Sequence, residues 1–215
     1  RQHADPVPVD IVREAQNALR SLKAELRPFV VIRPPFSLTA DDASKRRLIM
    51  RGDPLEIELL LLNVMKNAAE AVQGLPDGAV LVKFRRETLP SPLAENPSPS
   101  PAAPSAEAVI VEVEDNGPRL SDEAFERLTR VSQSVKDEGL GLGLGIVRSL
   151  VEENGGRIAI TRREDLSGRG LRVTLCFDLD AEGLKAQSAP HTDPADKSAA
   201  QAFQRSHEPA AKTAK

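Results

Sequence analysis

The sequence predicts an α/β (α+β) fold, and three observations predict it. Apolar residues recur at helical spacing in separate segments, β-branched runs with period-two alternation lie between them, and Pro, Gly and Asp mark the joins. The 215 residues, 40% of them hydrophobic, suffice for one domain with a sizeable core and an additional tail.

From Asp10 to Leu26 the residues Ile11, Val12, Ala15, Ala18, Leu19 and Leu22 fall on one helical face, and Pro28 closes the segment. Residues 29–33 and 47–51 are short apolar runs that read as strands with a turn between them. Asp53-Pro54 starts a second helix by mechanism: a carboxylate accepts from free N–H groups, and proline is tolerated at the first helical position. That helix runs through LEIELLLLNVMKNAAEAV and stops near Gly74.

Residues 79–87 and 107–114 read as strands, the second placing Val109, Val111 and Val113 on one side and Ile110, Glu112 and Glu114 mostly on the other. Residues 88–107 join them as a long Pro/Ser/Ala loop that can neither bury a core nor pair. A short helix over 120–131, capped by Ser121, comes next. A helix over 146–154 is ended by Gly155 and Gly156, and two strands, 157–163 and 170–177, are linked by a turn at 167–170. Beyond about Asp180 periodicity vanishes, so 181–215 reads as a disordered tail or linker.

Composition excludes several function classes. A formal net charge of -3 gives no footprint for nucleic acid, and no stretch approaches the ~20 apolar residues that cross a bilayer. The single cysteine, Cys176, rules out an intrachain disulfide framework, fits a reducing, cytoplasmic compartment, and in an alternating apolar run reads as a small core residue. His3, His191 and His207 lie at an end or in the tail, a poor place for catalysis or metal. The chain opens on Arg1 without a signal-like apolar region and reads as a piece of something longer.

Four features carry chemistry. Asn63 and Asn67, four residues apart, share a face of the second helix although asparagine is a mediocre helix former; they are either a solvated stripe or gathered ligands. Asp115-Asn116-Gly117-Pro118 at a strand end is either a plain turn or a carboxylate at the mouth of a sheet, beside a glycine that leaves room for a flat ring. In EGLGLGLGIVRSLV (138–151) glycine at alternate positions opposes strand and helix alike. The run reads as a phosphate cradle ahead of a helix N-terminus, or as a hinge, and Lys136 just before it can reach a phosphate oxygen. Ser167-Gly168-Arg169-Gly170 precedes the last strand.

In that order and spacing these features resemble the catalytic ATP-binding domain of sensor histidine kinases, in the Bergerat-type superfamily that also holds gyrase B, a heat-shock chaperone and the mismatch-repair ATPases. The resemblance covers roughly residues 8–180, with 88–107 as an inserted loop. It implies a two-layer sandwich, a mixed and mostly antiparallel sheet packed on three helices, with ATP held between the helices and a glycine-rich lid. It further implies that Asn67 coordinates Mg²⁺ and that Asn63 helps hold the metal–phosphate assembly. Asp115 would accept from the adenine amino group with Gly117 leaving room for the ring. Gly139, Gly141, Leu142, Gly143 and Leu144 would form the lid over the phosphates, Lys136 would approach the γ-phosphate, and Thr174 would contact the base.

Hydrolases of the superfamily carry a glutamate base four residues before the metal asparagine. Here that position is Asn63, and an amide cannot take the proton from water, so the resemblance implies a kinase. Its acceptor would be a histidine on a helical dimerisation hairpin absent from this chain, since His3 lacks room for such a helix. A response regulator would follow in the relay. The isolated domain would be a monomer and the full-length protein a homodimer, with no membrane contact by this stretch. Glu70, Leu140 and Gly145 depart from the common pattern. The rivals are a serine protein kinase of anti-sigma type and a non-catalytic nucleotide-binding module.

Overall fold

A computed structural model describes residues 5–33, 47–90, 105–131, 142–166 and 168–183. The first strand, β1 (Val7–Asp10), runs into α1 (Ile11–Ser21), whose first turn is capped by the Asp10 carboxylate accepting from Val12 N–H at 3.2 Å. The helix stops at Ser21, five residues short of the periodicity-based end at Leu26. Leu22 and Leu26 stay buried in the following turn, so the apolar pattern outlasts the helix. The Arg27 guanidinium takes up the carbonyls of Arg20 and Leu22 at 2.9 and 2.8 Å, satisfying acceptors that the ended helix leaves open.

β2 (Val30–Arg33) and β3 (Ile49–Gly52) are both present, but they belong to different sheets. β3 pairs antiparallel with β1, which the sequence reading did not anticipate because Pro8 sits inside a four-residue run next to a helix start. β2 instead runs parallel to β4 (Val80–Pro90), which pairs antiparallel with β5 (Ser105–Asp115). Both of these strands exceed expectation: Thr88 pairs with Glu107, Leu89 with Ala106 and Pro90 with Ser105, so the joining loop is shorter than 88–107. β6 (Arg157–Arg162) and β7 (Leu171–Asp178) complete the larger sheet, ordered β2-β4-β5-β7-β6. It is mixed, with one parallel pair and three antiparallel ones.

Three helices cover one face: α1, α2 (Pro54–Val72) and α4 (Leu142–Glu153). α2 is central, burying Ile57, Leu60, Leu61, Val64, Met65, Ala68, Ala69 and Val72. Its start follows the predicted mechanism, with Asp53 accepting from Leu55 N–H at 2.8 Å and Glu56 N–H at 3.4 Å and Pro54 in the first turn. Gly74, at φ +84°, takes the left-handed conformation just past its end. Asn154 ties the end of α4 to the start of α2: its amide accepts from Asp53 N–H at 2.9 Å and donates to Glu56 at 3.0 Å and Leu150 O at 2.8 Å.

The sheet side of the core follows the pleat. Val80, Val82 and Phe84 of β4, Val109, Val111 and Val113 of β5, and Val173, Leu175 and Phe177 of β7 are buried against the helices. Cys176 alternates to the other face, where it is half-buried with the Arg157 guanidinium 3.8 Å from its sulfur, and it is not a core residue. α3 (Asp122–Val131) is capped by Ser121, whose hydroxyl accepts from Ala124 N–H at 3.1 Å. Arg162 holds its start: one Nη lies 2.8 Å from Asp122, and the guanidinium sits 4.4 Å over the Phe125 ring.

The glycine run divides. α4 begins at Leu142, so Gly143 and Gly145 are helical, against the expectation that alternating glycines exclude a helix. Burial of Leu144, Val147, Leu150 and Val151 outweighs a propensity cost of ~1 kcal/mol per glycine. The expected tail at 181–215 lies outside the described residues from 184 onward. No helix among the described residues is long and apolar enough to cross a membrane.

Candidate functional site

Asp115 ends β5 and continues the alternation of Val109, Val111 and Val113, so its side chain leaves the sheet on the helix-covered face. It is a buried carboxylate, only 6% exposed. Gly117 N–H donates to its Oδ1 at 2.8 Å, and the Leu171 N–H also favours its charged form. Burial pushes the Asp115 carboxyl above the usual aspartate range, against the pull of those two N–H groups and of the Arg163 charge. A carboxylate that is buried without a cation in direct contact is costly unless it has a task.

What faces Asp115 is α2. A Cβ added at Gly117 would lie 2.8 Å from Asp115 Oδ1, 3.3 Å from Ala71 O and 3.4 Å from Ala71 Cβ. Glycine is therefore required where the chain passes between the carboxylate and the helix. Asn67 lies one turn before Ala71 and Asn63 one turn before that, so a single stripe leads from the carboxylate along α2, with about 6 Å between successive members. Both asparagines are half-buried. Asn63 Nδ2 donates to Leu59 O at 2.8 Å, which leaves its amide oxygen outward, and the Asn67 amide has no hydrogen-bond partner among the described residues. Two carboxamide oxygens in a row are hard donors of the kind that magnesium takes.

The turn from β6 to β7 supplies the other wall. Arg163 N–H donates to Gly170 O at 3.3 Å and Gly168 N–H to Arg163 O at 2.8 Å, with Gly168 and Gly170 at φ +79° and +70°. The Asn116 side chain fixes the far side of the Asp115 turn, accepting from Ala79 N–H at 2.8 Å and donating to Asp77 O at 2.6 Å.

The structure thus brings together Asp115, Gly117, Asn67 and Asn63, and it packs the helix bearing Leu142, Gly143 and Leu144 against α2, with Leu144 buried. Lys136, Gly139 and Gly141 lie outside the described residues. Thr174 is a correction. It pairs with Glu112 and Ala159, and the pleat turns it to the face opposite Val173, Val113 and Asp115, so it cannot meet a ligand beside that carboxylate. The strand residue that does reach Asp115 is Leu171, through its backbone N–H. The signal was available in the sequence: Leu171 shares the parity of Val173, Leu175 and Phe177, whereas Thr174 does not. Among the described residues no cluster of three or more His, Cys, Asp or Glu side chains could hold a metal.

Comparison with known proteins gives the family and the fold. The chain is 30% identical to the nitrogen regulation protein NtrY of Azorhizobium caulinodans over 142 residues, covering 64% of this chain and 16% of that protein. It is 32% identical to the sensory histidine kinase/phosphatase NtrB of Klebsiella oxytoca over 109 residues, covering 51% of this chain and 29% of that one. The chain thus spans less than a third of either relative. Among solved structures, the mycobacterial sensor histidine kinase MprB superposes with a TM-score of 0.55 at 19% identity, covering 81% of this chain and 97% of that one. The catalytic domain of histidine kinase ThkA does so with a TM-score of 0.55 at 18% identity, covering 82% and 98%. These two share the fold. Residues 52–181, more than half of the chain and including α2, Asp115 and α4, match the family described as Histidine kinase-, DNA gyrase B-, and HSP90-like ATPase, and the protein belongs to that family.

Proposed function

We propose that this chain is the Mg·ATP-binding catalytic domain of a two-component sensor histidine kinase, with residues 8–180 forming the domain and 181–215 a tail or linker. The observation that carries the reading is the buried carboxylate of Asp115, beside Gly117 at one end of the Asn63–Asn67 stripe. In this reading Asp115 accepts a hydrogen bond from the adenine amino group, and the ring lies beside Gly117 toward α2. The triphosphate then runs along the helix toward Asn67, which would coordinate Mg²⁺, and Asn63, which would help hold the metal–phosphate assembly. The metal would neutralise charge on the phosphates.

Asn63 cannot take a proton from water, so ATP is kept for another nucleophile. That nucleophile is a histidine on a dimerisation hairpin outside this chain: its imidazole nitrogen attacks the γ-phosphorus, ADP leaves, and the phosphoryl group passes on to a response regulator. Lys136, Gly139, Gly141, Leu142, Gly143 and Leu144 are assigned to the phosphate end and the lid on sequence grounds. The name of NtrB, a sensory histidine kinase/phosphatase, supports a sensor-kinase context, and the proposal includes cytoplasmic placement of the domain and a full-length homodimer.

The test combines binding and transfer. Calorimetry should find ATP binding abolished by Asp115→Asn, and Mg²⁺-dependent binding weakened by Asn67→Ala far more than metal-free binding. Labelled ATP should transfer its γ-phosphate to a separately supplied histidine hairpin as an acid-labile adduct. Unchanged ATP affinity in Asp115→Asn sinks the adenine assignment, and ATP binding without transfer sinks the kinase.

A further inference from the structure

The carboxylate that would read the nucleobase hangs from a peptide outside the reach of the β5–β7 ladder. Pairing between these strands ends at Glu114 with Arg172, one residue before Asp115. On the β4 side the chain is held, since Asp115 pairs with Val80 and Asn116 N–H donates to Ala79 O at 3.2 Å. The Asp115 carbonyl points the other way, toward Gly170. A Cβ there would fall on that oxygen, 2.8 Å from the carbonyl carbon and 3.0 Å from Asn116 Cα. Where the next rung of the ladder would stand there is a side chain instead: Arg163 Nη1 donates to Asp115 O at 3.2 Å.

Arg163 is itself held on every side. Its Nε and Nη2 form a fork with Asp165, at 3.2 and 2.5 Å, and Nη2 lies 3.8 Å from Glu114 Oε2. Glu114 is 2% exposed and is bound by Lys83 Nζ at 2.8 Å and Arg172 Nε at 2.7 Å on the face opposite Asp115. The guanidinium, with its side chain 16% exposed, thus spans from an anchored charge cluster to the carbonyl of the residue whose carboxylate lies beside Gly117. A planar fork suits this task, because one prong can be fixed by carboxylates while another is aimed.

We propose that Arg163 is a positioning residue for nucleobase recognition: it clamps the Asp115 peptide so that the carboxylate beside Gly117 is held at a fixed angle toward the base, and it does so without touching nucleotide. The inference rests on Asp115 reading the adenine amino group. Its consequence is that the benefit of Arg163 reaches only a ligand that carries that amine.

The test uses the 215-residue chain, with Mg²⁺ present, and measures dissociation constants for ATP and for inosine triphosphate, which has a carbonyl in place of the amine. Arg163→Met and Arg163→Lys should each weaken ATP binding by about tenfold, the scale of one hydrogen bond, while inosine triphosphate binding changes less than about twofold. Lysine retains the charge but cannot fork, so it tests aim rather than charge, and it spares the fold should methionine be disruptive. In the Asp115→Asn background Arg163→Lys should have no further effect on ATP. Equal losses for both nucleotides, or none for either, overturn the inference while leaving the Asp115 reading intact. A wild-type protein that binds ATP no better than inosine triphosphate overturns the Asp115 reading, and with it this inference.

Discussion

Gly170→Ala is the most discriminating perturbation of the site, because the chain contains its own control. Gly155 and Gly170 have nearly the same φ, +68° and +70°. A Cβ at Gly155 meets nothing within 4 Å, whereas one at Gly170 overlaps the Asp115 carbonyl. Alanine in the left-handed region costs about 1 kcal/mol at either position. At Gly170 the overlap with backbone adds about 2 kcal/mol, since neither strand can yield as a flexible side chain would. The expected losses are therefore about 1 kcal/mol for Gly155→Ala and about 3 kcal/mol for Gly170→Ala. In urea, with a slope of ~2 kcal/mol/M, the two midpoints should differ by about 1 M. ATP affinity supplies the second readout: Gly170→Ala displaces the peptide that carries the Asp115 carboxylate and should cost more than tenfold, while Gly155→Ala should leave binding unchanged. Equal destabilisation by the two substitutions would refute the close packing of Gly170 on Asp115.

Two further predictions follow from charge. In the proposed reading Asp115 must be ionised to accept from adenine, and burial raises its carboxyl above the ordinary aspartate value of 3.8, so ATP affinity should be full at neutral pH and fall in acid from a higher pH than an ordinary aspartate would allow. The folded state binds this proton more tightly than the unfolded chain, so the same group erodes stability as pH rises from 3.8 through the raised value. Inosine triphosphate should lack the acid limb, and an identical limb for both nucleotides would contradict the assignment. Glu114 behaves in the opposite sense: burial pushes it up, but the hydrogen bonds and charges of Lys83 and Arg172 outweigh burial and hold it below 4.5. Its stabilisation is present above 4.5 and is lost as pH falls through the lower folded value, so Glu114→Gln should cost about 2 kcal/mol at pH 7 and almost nothing well below pH 4. A cost independent of pH, measured by urea unfolding, would assign Glu114 to packing.

Where local chemistry decides the outcome, the sequence sufficed. The Asp53-Pro54 start, the Gly74 stop, the Ser121 cap and the burial of Val109, Val111 and Val113 each depend on a few neighbouring residues, and each appears as read. Where the outcome depends on a distant partner, local reading failed. β1 exists because β3 offers an edge more than 40 residues away, and α1 ends early because Leu22 and Leu26 can be buried from a turn as well as from a helix. α4 reaches back to Leu142 because tertiary burial beats glycine propensity, a balance that no window of sequence contains.

The site shows the same division more sharply. Asp115, Gly117 and the two asparagines stand out in the sequence because each sits in a signature whose chemistry is local: a strand end, a turn glycine, an i, i+4 pair. Leu171 and Arg163 were missed because neither offers a side chain with an evident ligand role. One acts through a backbone N–H, which every residue but proline possesses, and the other through a carbonyl it holds in place. The family resemblance points to Thr174, yet strand parity decides which groups can lie on the side of Asp115, and parity favours the leucine. In the proposed reading, recognition at the nucleobase end depends on how one buried carboxylate is held, by the Gly117 N–H on its Oδ1 and by the Arg163 guanidinium on its carbonyl. Substitutions that leave those donors in place while altering the exposed face of β7 should spare binding.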